Sequence, residues 1–346
     1  MDVRNALERL SGVGAPSGFE RPAVMVAREL LEPLVDEVWI DRIGNLIGVR
    51  RCGQPCAKKL LLDAHLDEIG LIVTGHKDGF LRFRAIGGVD PRMLPDRELT
   101  ILTDPPRLGV VACLPPHVLT AQDAEKAPPI DEMYVDTGLS QERAEELIPV
   151  GTPMVFRDSF TPLGENQVCG KAMDDRSCFV TLLRAAELLK DESLDVDLYI
   201  MGSTREEISG AGATVGTQTI MPDYCVAVDV THGKTPDSPA GRASVVGDGP
   251  AVGIGPNMTR WMTRRMLDKA AELDMKVQKE IMAGHTGTNG WHMQICNEGI
   301  ATSVISLPLK YMHTPVEVLE LSDIEDIARL LAAFTRNLGK EGVTYA

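Results

Sequence analysis

The sequence is poor in aromatic residues and in positive charge, and it has no long apolar run. Aromatic residues make up only 4% of the chain, too few for a carbohydrate-binding platform. The 35 lysines and arginines against 50 acidic residues leave a net charge of −15, whereas a nucleic-acid surface would be basic and clustered. No apolar run approaches the roughly 18 residues of a membrane span. These absences argue against nucleic-acid and membrane partners.

The signals of an exported protein are also lacking. The N-terminus begins an amphipathic helix and not a signal peptide. The seven cysteines are scattered and include no Cys-x-x-Cys pair, and several stand in apolar runs, as buried reduced thiols do. Such cysteines are typical of a reducing compartment. We therefore expect a soluble, cytoplasmic protein.

The length of the chain and its pattern of predicted strands and helices indicate two domains. A chain of 346 residues is too long for one ordinary core. Strands and helices alternate in residues 1–68 and again in 164–346, which predicts an α/β domain with a largely parallel sheet and helices on both faces. Residues 69–163 have short β-like runs between turns, typical of a small antiparallel barrel or sandwich. This β-rich segment, with a predicted mobile loop at 121–131, is inserted into the α/β domain.

Acidic residues and histidines recur where the predicted strands end or a helix begins, and open α/β sheets place their sites there. Each residue alone also has an ordinary explanation, as a solvated turn, an edge histidine or a helix cap. Their convergence at five positions is harder to explain structurally. These positions are His65, Asp174, Glu206-Glu207, Asp229 and His313.

Two imidazoles with at least three carboxylates suit zinc, cobalt or manganese better than calcium. They are more ligands than one open tetrahedral site needs, which indicates two metals sharing a carboxylate, roughly 3.5–4 Å apart. Like charges push the proton affinities of adjacent carboxylates apart. One member of the Glu206-Glu207 pair can therefore bind metal while the other acts as a base.

The motifs around these residues resemble those of the tetrahedral (TET) or glutamyl aminopeptidase family of di-metal peptidases. The resemblance covers nearly the whole chain, and the motifs occur in the family's order. They are His65-Leu66-Asp67-Glu68-Ile69-Gly70, Lys171-Ala172-Met173-Asp174-Asp175-Arg176, Glu206-Glu207, Asp229-Val230-Thr231 and Tyr311-Met312-His313-Thr314-Pro315-Val316-Glu317. The resemblance implies a phosphorylase/hydrolase-like α/β/α catalytic domain, 1–68 plus 164–346, with an inserted small β-barrel dimerisation domain, 69–163.

The resemblance also implies a role for each residue of the site. Asp174 bridges two divalent metal ions, zinc in the first place and cobalt or manganese as alternatives. His65 and Asp229 complete one metal site, and Glu207 and His313 complete the other. Asp67 orients the imidazole of His65. Glu206 is the general base that takes a proton from a metal-bridging water and passes it to the leaving amine.

The implied activity is that of an aminopeptidase that removes N-terminal residues from short peptides. Similar enzymes form dimers through the β-rich insert and then dodecamers, so a homo-oligomer is expected. A related co-catalytic metallohydrolase, such as a dipeptidase or an amino-acid deacylase, uses the same metal cage and stays an alternative. An inactive scaffold is a further alternative, although the intact metal-ligand set argues against it.

One loop departs from the family pattern. The family commonly has Gly-Thr-Asp where this chain has Gly287-Thr288-Asn289. In similar enzymes this loop lies near the substrate, so the exchange leaves open how the free amine is held and which N-terminal residues are accepted. Thr288, Asn289 and His285 are the candidate substrate contacts.

Overall fold

The computed structural model describes residues 1–118, 126, 128–239 and 241–340, so residues 121–125 and 127 of the loop predicted at 121–131 lie outside the described residues. No described helix combines the length and the apolar character that a bilayer crossing requires. In the described part of the chain the helices are α1 Val3–Ser11, α2 Arg21–Leu31, α3 Gln141–Leu147, α4 Met173–Leu189, α5 Glu206–Ser209, α6 Ala211–Ile220, α7 Arg260–Glu272, α8 Gly290–Met293 and α9 Leu321–Thr335.

The strands of the same residues form a large sheet, a small sheet and a barrel. They are β1 Glu37–Ile40, β2 Leu46–Arg50, β3 Lys58–His65, β4 Gly70–Lys77, β5 Phe80–Ile86, β6 Glu98–Ile101, β7 Arg107–Ala112, β8 Tyr134–Asp136, β9 Pro153–Phe156, β10 Thr161–Leu163, β11 Gln167–Gly170, β12 Val196–Ser203, β13 Tyr224–His232, β14 Ala251–Ile254, β15 Gln278–Ile281, β16 Ala301–Leu309 and β17 Glu317–Glu320.

The large sheet has eight strands in the order β1-β2-β12-β3-β13-β16-β14-β15. Its four central strands, β12, β3, β13 and β16, are mutually parallel. The flanking pairs β1–β2, β2–β12 and β16–β14 are antiparallel. The parallel centre and the connecting helices agree with the α/β architecture that the alternating pattern predicts.

Both faces of this sheet are covered, because successive side chains of a strand point to opposite sides. In β3, Leu60 and Leu62 join the core formed with α1, α2, α4, α7 and α9. Leu61, between them, joins the core formed with α6 and α8. The result is three layers, helix–sheet–helix, and the predicted α/β/α fold is confirmed.

Strands β4 to β9 form a closed barrel in the order β4-β5-β8-β7-β6-β9, with all neighbours antiparallel. The barrel has its own apolar core, which includes Leu71, Leu99 and Val135. Of the two alternatives open for the insert, barrel or sandwich, the structure has the barrel. The domain boundaries at 68/69 and 163/164 stay a prediction.

Several short elements have no counterpart in the sequence pattern. Strands β14, β15 and β17 have only four residues each, and β15 at the sheet edge alternates half-buried with exposed positions. The pair Glu206-Glu207 opens the one-turn helix α5.

Candidate metal centre and active site

The parallel strands bring the predicted residues to one edge of the sheet. His65 is the last residue of β3, and in the sheet register it lies beside Ser203, the last residue of β12. Helix α5, which begins three residues after Ser203, presents Glu206 and Glu207. Asp229 lies near the C-terminal end of β13. Residues far apart in the chain therefore meet at the carboxyl ends of the central strands.

Asp174 lies between the two predicted histidine ligands. Its Oδ1 is 3.1 Å from Nε2 of His65, and its Oδ2 is 3.2 Å from Nε2 of His313. The same nitrogen of His313 is 3.3 Å from Oε1 of Glu207. Each oxygen of one carboxylate thus faces a different imidazole, which is the arrangement that a bridging ligand requires.

Two overlapping groups of donor atoms could hold a metal, and the atoms of each lie within 4.8 Å of one another. The first consists of His65, Asp174 and Glu207, and the second of His65, Asp175 and Asp229. Asp175 was not among the predicted ligands. It is fully buried, and its Oδ2 accepts a hydrogen bond of 3.1 Å from the backbone N–H of His65. Nitrogen and carboxylate donors in this ratio fit a divalent transition metal.

The electrostatics of the cluster also fit bound cations. Burial, opposed by His65 and reinforced by Glu207, raises the pKa of Glu206 to about 7. Burial and the neighbouring Asp175 raise the pKa of Asp229 well above its ordinary value. Burial would lower the pKa of His313, but its contacts with Asp174 and Glu207 raise it to about 11. Buried carboxylates that repel one another are hard to ionise alone. A bound cation would stabilise their ionised form, so they become favourable ligands.

Asp67 contacts the His65 ring and also the start of helix α5. The Nδ1 atom of His65 is 3.1 Å from the main-chain oxygen of Asp67 and 3.5 Å from its carboxylate. The carboxylate accepts hydrogen bonds from the backbone N–H groups of Glu206 (3.1 Å) and Glu207 (3.2 Å), and from the hydroxyl of Ser17. Asp67 therefore holds the start of α5 as well as the His65 ring.

Three residues at the cluster have left-handed backbone angles although none is glycine. Ala172 precedes the Asp174 segment (φ 54°), Arg205 immediately precedes Glu206 (φ 60°), and His313 itself has φ 62°. Such angles cost of order 1 kcal/mol each and concentrate at functional sites. The backbone at this sheet edge is thus shaped for the placement of side chains.

Glu317 ends the last of the sequence motifs, but no role in the site was predicted for it. It is buried, and its Oε2 accepts hydrogen bonds from the backbone N–H groups of Met173 (2.7 Å) and Asp174 (3.2 Å). Its Oε1 accepts from the N–H of His313 at 2.8 Å. One carboxylate therefore ties Asp174 to His313. Its place in the motif, four residues after His313, did not indicate these backbone contacts.

The three candidate substrate contacts lie in different places. Thr288 lines a cleft of about 400 Å³ that contains the metal-ligand cluster. Asn289 is buried, and its Nδ2 donates to Asp63 (2.8 Å) and Ser203 (2.9 Å). His285 is exposed and stacks on Trp291, with ring centroids 4.4 Å apart. Of the three, only Thr288 lies on the cleft wall.

Comparison with known proteins places the chain in the class of peptidases. A family model described as M42 glutamyl aminopeptidase matches residues 44–330. The chain belongs to the M42 glutamyl aminopeptidase family, a family of metallopeptidases. The family indicated by the sequence motifs is thereby confirmed.

Relatives of the chain cover almost its full length. The lysyl aminopeptidase of Pyrococcus furiosus is 35% identical over 328 residues, which are 93% of each protein. The structure of aminopeptidase APDkam598 from the archaeon Desulfurococcus kamchatkensis is 33% identical, with a TM-score of 0.90 over 97% of this chain and 94% of that one. The TET1 peptidase of Pyrococcus horikoshii, which can assemble into a tetrahedron or a large octahedral shell, is 27% identical, with a TM-score of 0.85 over 97% and 99%.

Proposed function

We propose that this protein is a two-metal aminopeptidase that removes N-terminal residues from short peptides. The observation that carries the proposal is the Asp174 carboxylate, whose two oxygens face His65 at 3.1 Å and His313 at 3.2 Å. Asp174 would be the shared ligand of two ions, with His65 and Asp229 holding one of them and Glu207 and His313 the other. The aminopeptidases among the relatives support a peptide with a free N-terminus as the substrate.

When bound at these residues, divalent cations, zinc first and cobalt or manganese as alternatives, would supply Lewis acidity toward water and toward the scissile carbonyl. Glu206 supplies the proton transfer: it takes a proton from the attacking water and delivers it to the leaving amine. Its Oε2 lies 4.0 Å from Nε2 of His65, a member of both groups of donor atoms that could hold a metal. The hydrogen bond from its N–H to Asp67 keeps α5, and so Glu206, in place.

The experiment that tests this role is the substitution Glu206→Gln. The amide keeps the size of the side chain but cannot accept the proton, so metal content should stay at the wild-type level while kcat falls by about 10²–10⁴. Glu298→Gln, an exposed position, is the matched control for loss of one charge. Residual activity within tenfold of the wild type would exclude Glu206 as the base.

The same proposal includes a homo-oligomer that assembles through the β-barrel into dimers and then a dodecamer. The assembly of the Pyrococcus horikoshii relative supports it. The outer surface of the barrel exposes apolar side chains of β7, with Leu108 51% and Val110 39% accessible. A light-scattering mass of one subunit would contradict the assembly.

The deacylase and dipeptidase alternatives depended on Asn289. Its amide nitrogen is engaged by Asp63 and Ser203 beneath the cleft, and no contact of the described residues favours those activities over peptide trimming. The candidate metal ligands and Glu206 line one cleft, which argues against the inactive-scaffold alternative.

A further inference from the structure

Glu280 is an acidic side chain of the cleft that stands outside the metal-ligand groups. It belongs to β15, the edge strand of the large sheet, and is half-buried. The hydroxyl of Thr231 donates to its Oε1 at 2.6 Å, and the hydroxyl of Ser306 donates to its Oε2 at 2.7 Å. Two hydroxyls thus hold the carboxylate in one orientation.

This orientation directs the Glu280 carboxylate to the same side of the sheet as Asp229 and the other candidate metal ligands. Thr231 follows Asp229 by two residues in β13, so their side chains share a face. Ser306 is the register partner of Asp229 on β16. Glu280 lines the cleft together with Thr231 and the metal-ligand cluster, yet it belongs to neither group of close donor atoms.

Among the described residues, no basic side chain forms an ion pair with Glu280. Within the described ranges its partners are the two hydroxyls, and no lysine or arginine is among the residues that line the cleft. An ionised carboxylate has about four acceptor sites, and two hydroxyl donors leave the others available. The cluster carboxylates are balanced by the metals of the proposed function, whereas Glu280 remains an unpaired anion.

The cleft that Glu280 lines has open space for a long side chain. Its lining also includes Thr286, Gly287 and Thr288. A Cβ at Gly287 would have no atom within 4 Å, so the space there is open. An α-ammonium is bonded directly to the Cα that carries the scissile carbonyl, so it stays at the cluster. A cation at the end of a four-carbon stem is free to reach a carboxylate beyond it.

We propose that Glu280 binds the cationic side chain of an N-terminal lysine or arginine and so selects basic N-terminal residues. The inference rests on the proposed aminopeptidase activity, because it assigns a selectivity to that cleft. Thr231 and Ser306 are positioning residues that hold the carboxylate. The chemistry is a charge-assisted hydrogen bond between carboxylate and ammonium or guanidinium.

The test compares kcat/KM for Lys-, Arg-, Leu- and Glu-p-nitroanilide in the metal-loaded full chain. The wild type should prefer Lys and Arg over Leu. Glu280→Gln keeps the side-chain size and a hydroxyl partner, and should lower the Lys-to-Leu ratio about 10- to 100-fold. Glu280→Asp, which keeps the charge, should retain a preference for Lys, and Glu280→Lys should raise the Glu-to-Leu ratio.

Controls separate selectivity from folding and from activity itself. Glu298→Gln removes one charge at an exposed position and should leave the Lys-to-Leu ratio within twofold of the wild type. A Lys-to-Leu ratio in Glu280→Gln equal to the wild-type ratio would overturn the inference, and so would an equal loss on all four substrates. Both results leave the aminopeptidase standing. A wild type that cleaves none of the substrates with any metal would overturn the proposed function and this inference together.

Discussion

Near the candidate metal ligands lies a buried ionic group whose disruption should lower the free energy of unfolding. Glu68 contacts the Lys171 ammonium at 2.9 Å and 3.0 Å and the Arg176 guanidinium at 3.0 Å. The three side chains are at most 3% exposed. Arg176 also donates to the main-chain oxygens of Leu10 (2.8 Å) and Leu66 (3.0 Å). The group therefore ties the N-terminal segment to α4 and to the end of β3.

The substitution Glu68→Gln removes the anion and leaves two buried cations. Removing one partner of a buried ion pair costs about 3–5 kcal/mol, because the remaining charge is uncompensated. Burial lowers the pKa of Lys171, against the raising effect of Glu68, so the ammonium can lose its proton in the variant. We therefore expect the free energy of unfolding to fall by about 3 kcal/mol at pH 7.

The pH dependence has a definite sign. With a lowered folded-state pKa, Lys171 binds fewer protons in the folded than in the unfolded chain at pH values below its ordinary pKa of 10.5. Stability therefore rises with pH in that range, and more steeply in Glu68→Gln because the anion that favours the charged form is gone. The difference in free energy of unfolding between the wild type and Glu68→Gln should therefore shrink between pH 7 and pH 9.

The assay is urea unfolding of metal-free protein followed by tryptophan fluorescence, at one fixed protein concentration because assembly adds to apparent stability. Glu98→Gln is the matched control: Glu98 pairs with Arg157 at 2.5 Å, but their side chains are 50% and 56% exposed. Exposed pairs contribute about 0–1 kcal/mol. A loss below about 1 kcal/mol in Glu68→Gln, equal to the control, would refute the reasoning.

Three further predictions concern the site and a distant carboxylate. A Cβ at Gly88 would lie 2.7 Å from Nδ1 of His313, so Gly88→Ala should displace the imidazole ring. Metal affinity, measured by competition with a chelator, should then fall at least tenfold. An unchanged metal affinity would contradict this contact. Glu317→Gln should loosen Asp174 and His313 together and lower metal affinity about 10- to 100-fold, which the same titration measures. Burial raises the pKa of Asp323 to about 6, so wild-type stability should fall as pH rises from about 4 to 6. Asp323→Asn should lose that slope, worth about 2–3 kcal/mol, in a pH series of urea midpoints.

The central strands and the site positions were predictable from the sequence because their signals are local. An apolar run such as 60–62 marks a buried strand, and the charged residue that follows it falls at the sheet edge by geometry alone. The family motifs then indicated which of these residues share a site. The structure joins them in a row: His65 lies 3.1 Å from Asp174, Asp174 lies 3.2 Å from His313, and His313 lies 3.3 Å from Glu207.

What the sequence could not reveal depends on partners distant in the chain. Asn289 meets Asp63 from 226 residues away, so a buried partner could not be told from a substrate contact. Glu280 lies on a four-residue edge strand without an apolar run, and only the register of the sheet places its carboxylate on Thr231 and Ser306. Glu317 stands in a family motif, but it acts through backbone N–H groups, and such contacts cannot be read from residue types.

The measurement that tests the central claim most directly is release of N-terminal residues by metal-stripped protein to which zinc, cobalt or manganese is returned in known amounts. Each peptide is supplied with a free and with an N-acetylated terminus. The two-metal aminopeptidase predicts trimming of free peptides only, with activity that saturates near two metal ions per chain. Cleavage of acetylated peptides, full activity with one metal ion per chain, or no release with any of the three metals would contradict the account.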